Sequence, residues 1–258
     1  MKSILQKLGD ALKPSSRSDA QVPEGTRVYA VGDIHGRMDL LSALHEKIKN
    51  DLQERQVQRS IEIYLGDYVD RGPEPGKVID TLMEDAPVCD ERVCLKGNHE
   101  DTLLRFLAGS DDVYRSWKTY GGLETLYSYG VNEMPSEEAG DAHACRQQFL
   151  EAFPAKHSKF LSNLPLSASV GDYFFAHAGV RPGIALEDQE KRDLLWIRED
   201  FLLSREDFGK VVVHGHTPIE EPEIHPNRIN IDTCAYATGR LTCLVLEGRD
   251  RRFLSTGV

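Results

Sequence analysis

Five short segments of the sequence combine glycine with side chains that could bind metal ions. Each segment carries carboxylate or amide oxygens or imidazole nitrogens, and four of the five directly follow an apolar run that is typical of a buried strand. Open α/β sheets build their sites on loops at strand ends, so we expect these donors to converge. The segments are Gly32-Asp33-Ile34-His35-Gly36, Gly66-Asp67-Tyr68-Val69-Asp70-Arg71-Gly72, Gly97-Asn98-His99-Glu100, His177-Ala178-Gly179 and His214-Gly215-His216-Thr217-Pro218.

The residue types indicate a hydrolytic centre with two metal ions. Asp33 and His35 can bind one cation from a single loop, and Asp67 can bridge two cations with its two carboxylate oxygens. Hydrolases with two ions about 3.5–4 Å apart need such a bridge. The donors predicted for the second cation are Asn98, His177 and His216. A mixture of imidazole, carboxylate and amide donors suits Mn²⁺, iron or Zn²⁺ better than Ca²⁺.

Each segment alone has an ordinary structural interpretation. A single Gly-Asp-x-His-Gly predicts no more than a turn, and an Asn-His pair at the start of a helix is more often a cap than a ligand. His177 alone could be a hydrogen-bonded core histidine, and His214 is expected to be one. The joint occurrence of all five segments, nearly all at predicted strand ends, favours the metal site.

The elements that must position these donors predict an α/β fold. Residues 27–31, 61–65 and 92–95 are predicted strands with amphipathic helices between them, which indicates βαβ units and a parallel first half of a sheet. Residues from about 101 to 164 are predicted to be mostly helical. The last third has strand-like runs at 173–176, 210–213, 229–231 and 241–246. We therefore predict two packed, mixed β-sheets flanked by helices.

Composition limits the class of protein. The chain has 258 residues and a formal net charge of −11, which argues against a general nucleic-acid binder but allows a local cationic cluster for a phosphorylated substrate. No apolar stretch approaches the roughly 20 residues that span a bilayer. The polar start does not resemble a secretory signal, and the five cysteines contain no Cys-x-x-Cys pair. We therefore expect reduced thiols in a cytoplasmic protein.

The sequence divides into an appendage at residues 1–24 and a catalytic domain at residues 25–258. Ile4, Leu5, Leu8 and Leu12 lie at helical spacing in the appendage. A short helix packed on the domain or a frayed tail is the expected structure, with a weak membrane-surface helix as the alternative.

The five motifs resemble those of the calcineurin-like metallophosphoesterases, specifically the phosphoprotein phosphatase branch with the bacterial and phage lambda-type serine/threonine phosphatases. The resemblance extends from about residue 27 to residue 246. It implies an αββα sandwich and two divalent metal ions, with Mn²⁺ expected and iron or Zn²⁺ as alternatives. The family's ligand positions coincide with the six residues named above, and Asp67 is the shared ligand.

The resemblance also implies four catalytic residues. Arg71 and Arg198 match the family's phosphate-binding arginines, and a forked guanidinium suits phosphoryl oxygens. The alternative for either arginine is a surface salt bridge. His99, with Asp70 behind it, matches the pair that protonates the leaving group while a metal-activated hydroxide attacks phosphorus. No covalent phosphoenzyme is required.

The implied function is metal-dependent hydrolysis of a phosphomonoester, and a serine/threonine protein phosphatase is the leading hypothesis. Its substrate would be a phosphorylated protein or a small phosphoester. The alternative is a hydrolase of symmetrical dinucleoside polyphosphates such as diadenosine tetraphosphate, a sister group that tends to have alanine at the position of Asp70 and aspartate at that of Glu100. Both residues favour the phosphatase branch. A catalytically silent, metal-stabilised interaction module is a third hypothesis, against which the complete ligand set argues.

Two further residues have open roles. Asp232 follows a late strand, where it could orient a metal-bound histidine or cap the next turn. Arg181 lies close to His177, and a solvated loop arginine is favoured there over a substrate contact.

Overall fold

The structure, a computed structural model, describes residues 19–131 and 139–257. Ten strands lie in these residues: β1 (Thr26–Val31), β2 (Arg59–Tyr64), β3 (Glu91–Cys94), β4 (Ser167–Val170), β5 (Tyr173–Ala176), β6 (Val211–His214), β7 (Glu223–Ile224), β8 (Arg228–Asn230), β9 (Thr242–Glu247) and β10 (Asp250–Ser255). They form one sheet in the order β10-β9-β1-β2-β3 and a second in the order β4-β5-β6-β8-β7.

The helices of the described residues connect and cover these sheets. They are α1 (Met38–Glu54), α2 (Pro75–Glu84), α3 (Asn98–Leu107), α4 (Tyr114–Trp117), α5 (Leu123–Ser128), α6 (Ala139–Ala152), α7 (Ala155–Asn163), α8 (Lys191–Trp196), α9 (Glu199–Leu202) and α10 (Ala235–Thr238). Short 3₁₀ turns occupy Asp111–Val113 and Leu186–Asp188, and a π-helical turn occupies Lys118–Gly122. The amphipathic spacing of α1 buries its apolar face, including Leu41 and Leu44.

Parallel pairing brings the carboxyl ends of the central strands to one edge of each sheet. In the first sheet β1, β2 and β3 are parallel, and Val31, Tyr64 and Cys94 lie side by side at their ends. In the second sheet β5, β6 and β8 are parallel. The outer strands β4, β7, β9 and β10 pair antiparallel to their neighbours. The mixed sheets and the parallel first half are therefore confirmed.

The alternation of side chains along β1 divides the core into layers. Val28 and Ala30 pack against the second sheet, whereas Tyr29 and Val31 pack under the helices that cover the first sheet. On the far side of the second sheet, Val212 contacts α8, α9 and their loops. Helices thus flank two face-to-face sheets, and the predicted fold class is confirmed.

The sequence predictions miss mainly edge strands. The strands predicted at 27–31, 61–65 and 92–95 lie within one or two residues of β1, β2 and β3. By contrast β4, β7 and β10, which were not predicted, all lie at sheet edges and are only partly buried. Their sequences therefore lack the continuous apolar run of a central strand.

The predicted appendage is described only from residue 19. Ala20 and Val22 are buried in the core between the sheets, and the Val22 amide donates to the Gly248 carbonyl at 3.0 Å. The helix predicted from residues 4–12 lies outside the described residues. All five cysteines are free thiols. Among the described helices, none combines the length and apolarity needed to cross a bilayer.

Candidate metal centre

The predicted donors lie on loops where the strand ends of both sheets meet. Asp33 and His35 follow β1, and Asp67 follows β2. Asn98 is the first residue of α3, just after β3, while His177 and His216 follow β5 and β6 of the second sheet. Parallel strands place their carboxyl ends at one edge, which explains why segments far apart in sequence converge.

A cavity of about 370 Å³ lies at this junction. Eight of the ten predicted site residues line it: Asp33, His35, Asp67, Arg71, Asn98, His99, Arg198 and His216. The other two predicted site residues, His177 and Asp70, each contact a residue that lines the cavity. His177 Nε2 is 2.7 Å from Asn98 Oδ1, and Asp70 Oδ2 is 2.6 Å from His99 Nδ1. The structure thus brings all ten together.

Asp67 lies between two groups of potential metal ligands. One group combines it with His35 and His99, and the other with His177 and His216; within each group the ligand atoms lie within 4.8 Å of one another. The two carboxylate oxygens face different groups, because Oδ2 is 3.5 Å from His35 Nε2 and Oδ1 is 3.4 Å from His177 Nε2. This is the arrangement expected of a carboxylate that bridges two cations.

Backbone carbonyls determine which imidazole nitrogens face the cavity. His35 Nδ1 donates to Val69 O at 2.8 Å and His177 Nδ1 donates to Leu65 O at 3.0 Å, so each Nε2 presents a lone pair to the site. Burial lowers the pKa of His35 to about 3 and also lowers the pKa of His177, which keeps both rings neutral. Lone pairs that face the Asp67 carboxylate at these distances repel it unless a cation lies between them.

Two buried polar atoms of the site have no hydrogen-bond partner among the described residues. They are Asp33 Oδ1 and His216 Nε2. The second Asp33 oxygen accepts a hydrogen bond from the His216 amide at 3.1 Å. Burial, and then the charge of Asp232, raises the pKa of Asp33 well above its usual value. An isolated buried carboxylate is costly, so its surroundings and the donor chemistry fit divalent metal ions at this site.

The backbone is strained where these side chains are presented. In the described residues, six non-glycine residues have φ in the left-handed region, between 47° and 70°: His35, Asp67, Asp70, Arg71, His216 and Cys234. Five of the six are predicted site residues. Such conformations are uncommon outside glycine and concentrate at functional sites.

Close approach explains two of the motif glycines. A Cβ on Gly97 would lie 2.1 Å from Asp67 Oδ1, and a Cβ on Gly215 would lie 2.1 Å from Asp33 Oδ1. Both distances are far shorter than a van der Waals contact. Glycine is therefore needed at both positions for the two carboxylates to occupy their places.

Glu100 organises the two central loops, a role that the sequence analysis missed. Its buried carboxylate accepts hydrogen bonds from the amides of Asp67 (2.9 Å), Tyr68 (2.8 Å), Val69 (3.3 Å) and Gly97 (2.8 Å). Burial, together with the charge of Asp67, raises the pKa of Glu100 to about 7. This side chain ties the loop after β2 to the start of α3.

His99 and Asp70 form a buried pair beside the shared carboxylate. Asp70 accepts the His99 Nδ1 hydrogen bond and is also bound by Trp117 Nε1 at 2.9 Å and Thr125 Oγ1 at 2.5 Å. Burial opposes protonation of His99, but the charges of Asp67 and Asp70 outweigh it and raise the pKa of His99 to about 9. Trp117 and Thr125 lie within the helical middle of the sequence, where spacing carries no signal of this contact.

By distance His99 also belongs to the first ligand group, because its Nε2 is 3.8 Å from Asp67 Oδ2. The hydrogen bond to Asp70 and the raised pKa favour a proton donor over a metal ligand, since a protonated imidazole has no free lone pair. We therefore expect His99 to act as a proton donor.

The two predicted phosphate-binding arginines point into the cavity without a carboxylate partner. Arg71 lies 4.7 Å over the ring of Tyr236, and its Nε is 3.4 Å from the Tyr120 carbonyl oxygen. Arg198 Nη1 donates to Thr217 Oγ1 at 3.3 Å. Within residues 19–131 and 139–257, no carboxylate lies within 4.0 Å of either guanidinium, the distance limit for an ion pair. Neither arginine therefore forms the surface salt bridge considered as the alternative within these residues. Tyr236 was not predicted from the sequence.

Three other residues named in the sequence analysis have distinct places. His214 is fully buried, as predicted for a core histidine. Asp232 caps the turn after β8 by accepting the Cys234 amide hydrogen bond at 2.9 Å, and it also lines the cavity. Arg181 is an exposed loop residue, as predicted, and its guanidinium forms an ion pair with Asp193 at 2.6 Å rather than lining the cavity.

Comparison with known proteins agrees with this fold. A family model described as calcineurin-like phosphoesterase matches residues 26–243. The chain therefore belongs to the calcineurin-like phosphoesterase family, and it is a metallophosphoesterase-type hydrolase.

The proteins of similar sequence or similar fold have names that refer to different substrates. An asymmetrical bis(5'-nucleosyl)-tetraphosphatase, PrpE, from Anoxybacillus flavithermus is 30% identical over 234 residues, which cover 83% of this chain and 88% of the relative. A crystal structure provisionally named a diadenosine tetraphosphatase superposes with a TM-score of 0.62 at 20% identity, covering 90% of this chain and 94% of the other. A serine/threonine phosphatase from Saccharomyces cerevisiae shares the fold with a TM-score of 0.53 at 14% identity, covering 100% of this chain and 90% of the other.

Proposed function

We propose that this protein hydrolyses dinucleoside tetraphosphates at a centre of two divalent metal ions, with Mn²⁺ as the expected ion. The observation that carries the hydrolytic centre is Asp67, whose two oxygens face separate ligand groups. The substrate class is supported by the PrpE relative, which is similar along most of both chains. The proposed ligands are Asp33, His35, Asp67, Asn98, His177 and His216.

The bound ions would supply hydroxide at neutral pH and offset charge on the phosphoryl oxygens. The chain's own residues then bind and orient the reacting group. Arg71 and Arg198 donate hydrogen bonds to the equatorial oxygens, where charge resides in the transition state. As the new bond from the water oxygen to phosphorus forms, the bond to the leaving oxygen breaks. His99 gives the proton on Nε2 to that oxygen, while Asp70 holds Nδ1.

The pair of His99 and Asp70 favours a second candidate, a serine/threonine protein phosphatase. An alkoxide leaving group is strongly basic and needs a proton as it departs, whereas a nucleotide leaves as a weakly basic phosphate. A buried acid held by Asp70, Trp117 and Thr125 is therefore more valuable for a phosphoserine substrate. The same pair thus supplies a way to separate the two candidates.

The test compares diadenosine tetraphosphate with phosphoserine and phosphothreonine peptides at saturating Mn²⁺. We expect kcat/KM for the dinucleotide to be higher by about tenfold or more, a difference of about 1.4 kcal/mol in transition-state stabilisation. Chromatography of the products identifies the position of cleavage, because AMP with ATP indicates asymmetrical hydrolysis and ADP alone indicates symmetrical hydrolysis. An Asp67→Asn preparation controls for contaminating phosphatases. Faster turnover of the peptides would reject the dinucleotide in favour of the second candidate.

A further inference from the structure

A second cavity of about 600 Å³ adjoins the metal centre. Trp196 lines both cavities, so they meet at this side chain. The lining residues of the second cavity are Asp101, Arg105, Lys191, Arg192, Leu195 and Trp196. We call this cavity the α3–α8 groove, because the first two residues lie on α3 and the other four on α8.

The two helices that line the α3–α8 groove each have one end at or near the candidate metal centre. Helix α3 begins at Asn98 and His99 in the metal centre, and its next turn places Asp101 and Arg105 on one face at i, i+4 spacing. Helix α8 ends at Trp196, two residues before Arg198. The groove therefore continues from the side of the site that carries the proposed proton donor.

The groove is cationic although the chain as a whole carries a net charge of −11. Three of its six residues are cations and one is an anion. Lys191 contacts Asp101 at 2.5 Å, and Arg105 contacts Asp112 at 3.2 Å. The Arg105–Asp112 pair is exposed on both sides (49% and 72%), and such exposed pairs are weak, whereas the Asp101 side chain is only 12% exposed. An anionic ligand can therefore replace Asp112 at Arg105, and the Lys191 ammonium keeps further N–H donors beside its bond to Asp101.

Arg192 is the cation best placed to meet a ligand. Within the part of the chain that the structure describes, no carboxylate lies within 4.0 Å of its guanidinium. Its neighbour in the groove is Trp196, whose side chain is 43% exposed and contacts the His216 ring edge-on with 6.2 Å between ring centroids. A free guanidinium beside an exposed indole offers both a phosphate contact and a stacking surface.

We propose that the α3–α8 groove binds the leaving half of a polyphosphate substrate, with Arg192, Arg105 and Lys191 on the phosphates and Trp196 against the nucleoside. This inference rests on the proposed dinucleotide substrate. Its geometric basis is the position of His99: the group that receives the proton lies next to this residue, and α3 leads from there into the groove. A single phosphate bound by Arg71 and Arg198 would leave the groove empty.

The test measures binding of inorganic tripolyphosphate and orthophosphate by calorimetry, on Mn²⁺-loaded protein with free Mn²⁺ buffered at a fixed concentration. The variants are Arg192→Ala and the double variant Arg105→Ala with Arg192→Ala. Arg249→Ala is the matched control. Arg249 is an exposed residue in the turn between β9 and β10. Because β9 is antiparallel to β1, this turn lies at the end of the sheet opposite the metal centre. The KM for diadenosine tetraphosphate is measured in parallel.

We expect Arg192→Ala to weaken tripolyphosphate binding about tenfold, as the loss of one charge-assisted contact implies, and the double variant to weaken it further. Orthophosphate should bind all proteins within about twofold, since it reaches only the metal centre. The proposed role of the groove would be wrong if Arg192→Ala bound tripolyphosphate with wild-type affinity. It would also be wrong if the variant lost equal affinity for tripolyphosphate and orthophosphate. If the wild type does not cleave the dinucleotide but the tripolyphosphate effect appears, the proposed substrate is wrong and the groove remains a polyphosphate site.

Discussion

Replacing Gly97 by alanine is the most direct test of Asp67 as the shared metal ligand. The added Cβ would lie 2.1 Å from Asp67 Oδ1, 2.4 Å from the Asp67 amide nitrogen and 2.7 Å from Glu100 Oε2. Unstrained contacts of this kind are longer by about 1 Å or more. Rotation of the Asp67 side chain cannot relieve the clash, because the backbone amide is also too close and is hydrogen-bonded to Glu100.

The size of the expected effect of Gly97→Ala depends on how the chain accommodates the added Cβ. Overpacking of a dense site typically costs about 1–3 kcal/mol, so the variant should still fold but with a lower free energy of unfolding. The strain is relieved by displacing Asp67 by about 1 Å, and a shift of that size in a catalytic group can cost about 10²-fold. We expect Mn²⁺ affinity and kcat each to fall by about this factor.

Calorimetric titration with Mn²⁺ measures the affinity and the number of ions bound, and urea unfolding of the metal-free protein measures the strain separately. Gly76→Ala is the matched control, since Gly76 lies in α2 and the atoms nearest to its added Cβ belong to Tyr129, at an ordinary 3.4 Å or more. That variant should bind Mn²⁺ normally. If Gly97→Ala binds two ions with wild-type affinity, Asp67 does not bridge them.

Three further predictions follow from the same geometry. His99→Asn should lower kcat for a phosphoserine peptide by about 10²-fold or more while metal content stays at the wild-type level, and an unchanged rate would remove His99 as the acid. Chelation of the metal ions should lower the melting temperature by about 5 °C or more, because ligand at about 100 times its Kd adds about 2.7 kcal/mol to the free energy of unfolding; scanning calorimetry with and without EDTA checks this. His45 is buried, which lowers its pKa to about 4. The unfolded chain binds a proton at His45 near pH 6.5, whereas the folded chain binds it only near pH 4. The free energy of unfolding is therefore unaffected by this group above pH 6.5, and it decreases by up to about 3 kcal/mol as the pH falls toward 4. His45→Gln should therefore lose less stability than the wild type in urea titrations between pH 7 and 4, and parallel losses would contradict the assignment.

The strands could be predicted from the sequence wherever they are buried on both faces. Residues 27–31 and 173–176 are continuous apolar runs because each lies inside the sandwich, and the structure places strands there within one residue. At the sheet edges the pattern weakens. In β10 the pairing partner is a central strand, but its own residues are partly exposed and include Asp250 and Arg251. Such a strand is defined by its hydrogen bonds to a neighbouring strand rather than by hydrophobic residues, and the local sequence does not indicate those hydrogen bonds.

The candidate ligands that the structure brings together could be predicted from the sequence, but the residues that hold them in place could not. Glycine next to Asp or His is visible in the sequence, since close packing and positive φ leave few other choices. The supports of Asp70 are different. Trp117 and Thr125 reach it across 47 and 55 residues, from helices whose own pattern is that of ordinary core packing. Such contacts depend on how α4 and α5 pack over the site, which no local spacing encodes.

These observations together suggest why the site is built with so much local strain. Asp33 and Asp67 are buried carboxylates, and His35 and His216 are buried imidazoles whose pKa values burial lowers to about 3 and about 2. In the absence of cations this cluster opposes folding, as do the positive φ angles of its residues. Such a cluster persists only where the surrounding sheets and Glu100 hold it in place. The same features would favour a divalent ion, because a cation bound there would relieve the repulsion between the carboxylates and the imidazole lone pairs. The packing of the two sheets would then offset the strain of the metal-free site, and the relief of that strain would contribute to the free energy of metal binding.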